Sequence, residues 1–380
     1  INTTQATQSY NQSLSQVTTL AQQIIAPTSG NDLTSSLQSL FNAFTNLSAT
    51  PQDPTVRATV INAASNFAQL AQSTSTSLQS TASNELSQLP TLVQQVNEIS
   101  GQIATLNGQI GAAQAGDQAA AALQDQRDGL VNQLATLIGA GADSNGNVSV
   151  GGVPLVEGGN ALPLSTTGAG TSIQLQVSLP AGTLPIQMDQ VGGQIGGVLA
   201  GASAVTNLMS QVNNFATAAA DAFNQQSQAG FGLDGSTNNA IFVVGGANNP
   251  IAINPALTVQ NLPAAASAAG VPGDGSNATA LAALANNPNL IGSFPNQTLG
   301  QAYTQIESNF GITVQNATNS EQQASSSLQS LTSLKGSITG VSINDQLTNL
   351  VEYQNMLQAT GRAVQAANDM TTFLIQELNQ

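Results

Sequence analysis

Cysteine, histidine and tryptophan are all missing from this 380-residue chain. Without cysteine there is no disulfide framework, no thiolate nucleophile and no sulfur metal site. Without histidine the commonest general base and the commonest metal ligand are also gone. No cofactor and no metal are therefore expected, and the chain is not read as an enzyme. Charge is scarce as well, at 6% of residues where about 25% is usual. The net charge is −15, and the four basic residues, Arg57, Arg127, Lys335 and Arg362, are scattered. They cannot form the clustered basic face that nucleic acid or an anionic membrane surface requires. No apolar run approaches the roughly 20 residues of a membrane helix.

What is present is a globular share of hydrophobic residues, 41%, set among Asn, Gln, Ser and Thr. Such a surface hydrogen-bonds water and neighbouring chains with little dependence on salt. That composition suits an extracellular assembly better than a cytoplasmic enzyme.

Heptad spacing organises the first third of the chain. Tyr10, Leu14, Val17, Ala21 and Ile24 recur at steps of four and three, and Leu33, Leu37, Leu40, Phe44 and Leu47 repeat the pattern after a break at Pro27 to Asp32. Asp53 is placed to cap a third helix, with Pro54 at its first position. Pro90 is expected to kink or split that helix, because proline removes a backbone donor. Leu92, Val96, Ile99, Ile103, Leu106 and Ile110 form the cleanest heptad run. Gly116-Asp117 reads as a turn before a helix over 118–138, with Gly139 and Gly141 as candidate caps.

From Asp143 the pattern changes to alternation. Val148, Val150 and Val153, then Ile173, Leu175, Val177 and Leu179, alternate with small or polar residues as strands do. Helical spacing returns from Ile195 to Gln226. A Gly-, Asn- and Pro-rich stretch follows, with two short strands expected near Ile241–Val244 and Leu257–Val259. Helix resumes at Leu299, and Ser342-Ile-Asn-Asp345 resembles a capping box opening a last helix. The expected fold is mainly α with a β insertion: an elongated helical bundle or coiled coil built by the N- and C-terminal segments, with a small β domain projecting from the middle. The divisions expected are bundle 1–141, β insertion 142–190, helical return 191–228, irregular region 229–295, bundle 296–340 and C-terminal heptad helix 341–380.

Ile343, Leu347, Leu350, Leu357, Val364, Met370, Leu374 and Leu378 lie close to one stripe of that last helix. They are the candidate assembly residues, and the spacing leaves internal packing and packing between subunits equally open for this helix. Elsewhere the chemical motifs read as structure. Asp143-Ser-Asn145-Gly-Asn147 has calcium-loop spacing, but Pro154 stands where the bidentate Glu belongs, which favours a plain turn. Gly192 to Gly197 lacks the spacing of a dinucleotide fingerprint. Asp234-Gly235 and Asp274-Gly275 are turn dipeptides. Asp125 and Asp128 share a helix face with Arg127 turned away, in a structural salt-bridge or capping role.

Gly340-Val-Ser-Ile-Asn-Asp-Gln-Leu-Thr-Asn-Leu-Val-Glu-Tyr-Gln354, with Ala359, Ala363-Val364 and Asp369-Met370, resembles the C-terminal signature of flagellar rod, hook and hook-associated proteins. Leu106-Asn107, Asp125 to Asp128, Gly146 to Val150, Pro154 to Gly158 and Gly192-Gly193 are similar to the hook–filament junction family in particular. The resemblance implies a structural subunit outside the cell, exported unfolded through the flagellar type III apparatus. Its implied partners are copies of itself in a ring, the hook protein, the second hook–filament junction protein, and an export chaperone at the C-terminal helix. It also implies an N-terminal helix, pairing with the C-terminal one, that would lie ahead of Ile1. Two other readings stay open: a flagellin-like axial protein, and a secreted adhesin or S-layer-like protein.

Overall fold

The computed structural model describes residues 2–27, 30, 32–113, 118–168, 170–246, 249–339 and 343–378. It is mainly helical with a small β region in the middle, the class that the heptads and the alternation implied. The chain divides into two compact units, residues 1–326 and 327–380. The expected turn at Gly116-Asp117 and the capping residue Ser342 lie outside the described residues.

Five helices open the first unit: α1 (Asn2–Ile25), α2 (Leu33–Ala49), α3 (Pro54–Leu86), α4 (Leu89–Ala112) and α5 (Gln118–Ile138). Their ends follow local chemistry. Asp32 and Ser35 form a reciprocal capping box at α2, with Asp32 Oδ1 accepting from Ser35 N at 2.7 Å. Asp53 Oδ1 accepts from Thr55 N at 2.8 Å, and Pro54 opens α3. Pro90 splits the long helical stretch: α3 ends at Leu86, and Pro90 stands in the first turn of α4, where its missing donor costs nothing. Gly139 ends α5 in the left-handed region at φ 74°. Gly141, the other candidate cap, instead begins the first strand, because one left-handed residue had already turned the chain.

The β region holds seven short strands in two antiparallel sheets. β1 (Gly141–Ala142), β2 (Val148–Val150), β3 (Val153–Glu157) and β4 (Asn160–Ala161) form one sheet in that order. β5 (Leu164–Thr167), β6 (Gln174–Leu179) and β7 (Gly182–Ile186) form the other. Alternation sets which face is covered: Val148 and Val150 are buried while Ser149 between them is exposed. Leu175, Val177 and Ile186 fill the second sheet's inner face, with Leu175 opposite Ile186. β3, β4 and β5 rest on α4. Asn97 of α4 fixes the last of these, accepting from Leu164 N and donating to Leu164 O, both at 2.8 Å.

α6 (Gly193–Gln228) is the central helix, packed on α1 and α3. Its contact with α1 is unusually close. A Cβ built on Gly197 would stand 2.7 Å from Ser13 Cβ and closer still to the Tyr10 carbonyl oxygen. The same atom on Gly201 would meet Val17 at 2.7 Å. Toward its C-terminal end α6 meets an aromatic cluster: Phe223 lies 5.4 Å from Phe41, 5.8 Å from Phe44 and 6.0 Å from Phe242, ring centre to ring centre.

Phe242 begins β8 (Phe242–Val244), which pairs with β9 (Ile251–Ile253). The second strand thus falls before Leu257–Val259, the segment expected to form it. There the chain turns instead, with Asn254 O accepting from Leu257 N and Asn261 Oδ1 from Thr258 N. α7 (Ser276–Ala283), which the composition of this stretch did not suggest, packs against α2. Arg57 binds the region to the bundle. Its buried guanidinium donates to the carbonyls of Pro51, Val259 and Leu262. α8 (Leu299–Thr339) buries Tyr303, Ile306, Phe310 and Val314, Tyr303 lying 5.1 Å from Phe215 of α6 and donating to Ile25 O of α1 at 3.2 Å. The second unit takes the end of α8 and α9 (Ile343–Leu378).

Candidate assembly surface

α9 is the element whose sequence and surroundings disagree most. Its 36 residues carry a hydrophobic helix pattern, yet among its described side chains the apolar ones are wet. Leu347, Leu350, Leu357, Val364, Met370 and Leu374 are all more than half exposed, from 53% at Leu350 to 78% at Leu357. Ile343 and Leu378 stand at the two ends of the helix. Leu350, Leu357 and Val364 follow at intervals of seven and fall on one row.

The apolar surface is broader than that row. Tyr353, three residues after Leu350, widens the exposed row, and Val351, Met356, Phe373 and Ile375 are exposed as well. Sequence reading confined to a single stripe missed these five. Counting every apolar position on the helix, rather than those at heptad spacing, would have found them.

The residues with chemical potential are spent on structure. Asp143 Oδ1 accepts from Asn145 N at 2.8 Å and Asn147 N at 2.9 Å, while Oδ2 accepts from Asn147 Nδ2 at 2.9 Å. Those bonds, the Asn147 side chain first, hold its carboxyl below the usual range. The loop is an Asx turn. Asp234 and Asp274 do the same for Ser236 and Ser276, each accepting the backbone N–H at 2.9 Å. Among the described residues no group of three or more acidic side chains could hold a metal ion. Arg127 is not turned away from its neighbours, as the helical wheel suggested: its Nη2 lies 3.3 Å from Asp128 Oδ1. A long side chain can curl back on the adjacent residue, which a wheel drawn from Cα positions does not register.

Several of the segments singled out in the sequence meet in one place. Asn107 of α4 sends Nδ2 to the carbonyls of Gly146 and Gly158, each at 2.9 Å. Asn147 Oδ1 accepts from Gly158 N at 2.8 Å. Gly146, at φ 82°, is buried so closely that a Cβ there would lie 2.6 Å from Asn107 Oδ1 and 2.7 Å from Arg127 Nη1. This clamp fastens the first sheet to the α4–α5 pair, and each of its parts was an isolated motif in the sequence.

The family model for the helical domain of the flagellar hook-associated protein FlgK matches residues 18–242, more than half of the chain. The chain belongs to the FlgK family. The clamp and its four contributing segments, at Asn107, Arg127, Gly146 and Gly158, all lie within the matched stretch. Membership makes this a structural protein of the bacterial flagellum, at the junction of hook and filament and part of the organelle's external structure. Among the described residues no helix is long and apolar enough to cross a membrane. Among solved structures, the flagellar hook junction protein FlgK from Burkholderia pseudomallei has a similar fold, with a TM-score of 0.74 and 17% identity. The likeness covers 90% of this chain and 100% of that one. No curated protein matches the sequence at a significant level.

Proposed function

We propose that this FlgK-family subunit joins its neighbours at the hook–filament junction through α9, whose exposed apolar rows pack against helices of adjacent subunits. The observation that carries this reading is the exposure of Leu350, Tyr353, Leu357 and Val364 on one helix. Fully burying a leucine or valine side chain is worth roughly 1.5–3 kcal/mol. Several such residues left wet amount to a strong drive toward a partner. A helix apolar on more than one side is normally buried on more than one side. Met356 and Phe373, off the Leu350 row, therefore point to more than one partner helix.

In this reading the partners are copies of the same chain in a ring, the hook protein on one side and the second junction protein on the other. An export chaperone would cover the same apolar rows before assembly, and the subunit would leave the cell through the flagellar type III apparatus. Residues 142–190 and 229–295 would take no part in the seam, and no catalytic chemistry is assigned to the chain. The sparsely charged, amide-rich surface supports a place in an assembly exposed to varying salt.

The test is Leu350→Asp and Leu357→Asp in cells lacking the native copy. Both side chains are exposed, so the purified variants should melt as the parent does. Assembly should fail, leaving hooks without filaments and filament protein in the medium, because an unpaired carboxylate in an apolar seam adds a desolvation penalty. Thr167→Asp, at the exposed end of β5, is the control and should swim normally. Normal filaments from both seam variants at parental secretion would overturn the assignment.

A further inference from the structure

The chain contains two Asn-Gly pairs, Asn107-Gly108 and Asn145-Gly146, and the clamp brings them together. An Asn-Gly pair is chemically unstable by its own geometry. The glycine amide nitrogen can attack the asparagine Cγ, closing a five-membered succinimide and expelling ammonia. Water then opens the ring to aspartate or isoaspartate. The net change exchanges NH2 for OH and adds a carboxylate, with water as the sole co-reactant. Glycine permits the attack because it has no Cβ to obstruct it.

We infer that Asn145 is a latent deamidation site whose reaction is gated by opening of the clamp that Asn107 and Arg127 place over Gly146. The two pairs stand in different settings. Asn107-Gly108 lies inside α4, where the helix fixes the backbone and both Nδ2 hydrogens are spent on the carbonyls of Gly146 and Gly158. Asn145 is exposed at the tip of the β1–β2 turn. Its successor Gly146 is buried, with its N–H donated to Asp143 O at 3.1 Å. The carboxamide is thus available, and the attacking nitrogen is held back by one turn hydrogen bond and the two side chains packed on its residue. Modification must wait for the turn to open, so its rate is the opening equilibrium multiplied by the rate in unfolded chain.

The product would not fit the closed clamp. Isoaspartate inserts a methylene into the backbone beside Gly146, whose carbonyl must stay 2.9 Å from Asn107 Nδ2. The new carboxylate would also sit two residues from Asp143, whose carboxyl is ionised through the usual range. Opening admits the reaction, and the reaction then holds the clamp open. This turn would set a chemical lifetime for the sheet's attachment to α4.

The experiment incubates the full chain in warm, mildly alkaline buffer and follows both asparagines by peptide mass mapping, with isoaspartate scored by methyltransferase labelling. Folded parent should modify Asn145 about tenfold or more slowly than the same chain in urea, and leave Asn107 intact. Asn107→Ala, which removes two hydrogen bonds, should raise the Asn145 rate about tenfold while circular dichroism stays parental. Should that variant lose its fold, Arg127→Gln supplies the same test from the other side of Gly146. Two results would overturn the inference: a folded parent as reactive at Asn145 as the unfolded chain, or folded clamp variants as slow as the parent.

Discussion

Replacing Gly197 by alanine sets two well-measured effects against each other. In a helix interior the change is normally favourable, by about 1 kcal/mol, because glycine loses more backbone freedom on folding. Here the added methyl would meet Ser13 Cβ at 2.7 Å and, closer still, the Tyr10 carbonyl oxygen. That oxygen belongs to α1, held by its own helical hydrogen bonds, so it cannot yield as a flexible side chain would. One of the two helices must move outward along a contact that also includes Gly201 against Val17. Forcing a methylene into a well-packed core costs about 1–3 kcal/mol, and a rigid obstacle puts this site at the upper end. The expected net loss is about 1–2 kcal/mol. Gly129→Ala is the matched control: it lies in α5, is exposed, and has nothing within 4 Å of the new atom. It should gain about 0.5–1 kcal/mol. Urea unfolding followed by far-UV circular dichroism reads both. A Gly197→Ala protein as stable as the parent, or more stable, would refute the claim that α1 and α6 touch backbone to backbone.

Three further outcomes are expected. Arg57→Met should lower stability by about 3 kcal/mol in the same assay, since three buried carbonyls lose a charged donor, each worth about 1–3 kcal/mol, partly offset by relief of the buried charge; burial pushes this guanidinium down only to about 10, so it is protonated at neutral pH. A change under about 0.5 kcal/mol would show the cage to be incidental. Glu307 is raised from 4.5 to about 7, first by burial and then by the charge of Asp32; the folded state therefore binds the extra proton between those values, and stability should fall as pH rises from 4.5 to about 7. Glu307→Gln should flatten that fall and melt higher than the parent above neutrality, whereas an unchanged pH profile would exclude Glu307 as its source. Finally, added Ca²⁺ should not move the melting temperature, because the Asp143 oxygens are already bonded; a ligand at a hundredfold excess over Kd would contribute about 2.7 kcal/mol, so a rise of several degrees would contradict the turn assignment.

Hydrophobic period alone was enough to place most helices of the first unit. It works because each of those helices buries one face, and the stripe at Leu33, Leu37, Leu40, Phe44 and Leu47 is that face written in the sequence. Capping residues placed some ends just as directly: Asp53 and Pro54 act within one turn of chain, so no tertiary information was required. The region after Gly230 was poorly legible for the opposite reason. β9 lies at Ile251 rather than Leu257 because Phe242 must reach Phe223 and Phe67, and β9 follows its partner's register.

The exposed apolar rows of α9 were legible in part. Leu350, Leu357 and Val364 show themselves by spacing, but spacing cannot tell a buried stripe from an exposed one. That distinction needed the exposure of each side chain. The asparagines were the least legible of all. Asn97, Asn107 and Asn224 look like ordinary polar surface, yet each satisfies backbone groups of a strand or turn far along the chain, Asn224 accepting from Ile241 N and Phe242 N at 2.9 Å. An amide both donates and accepts, so it can complete strand or turn backbone that has no other partner. Which asparagine does so depends on what backbone folding brings within reach, and that is settled only when the helices have packed.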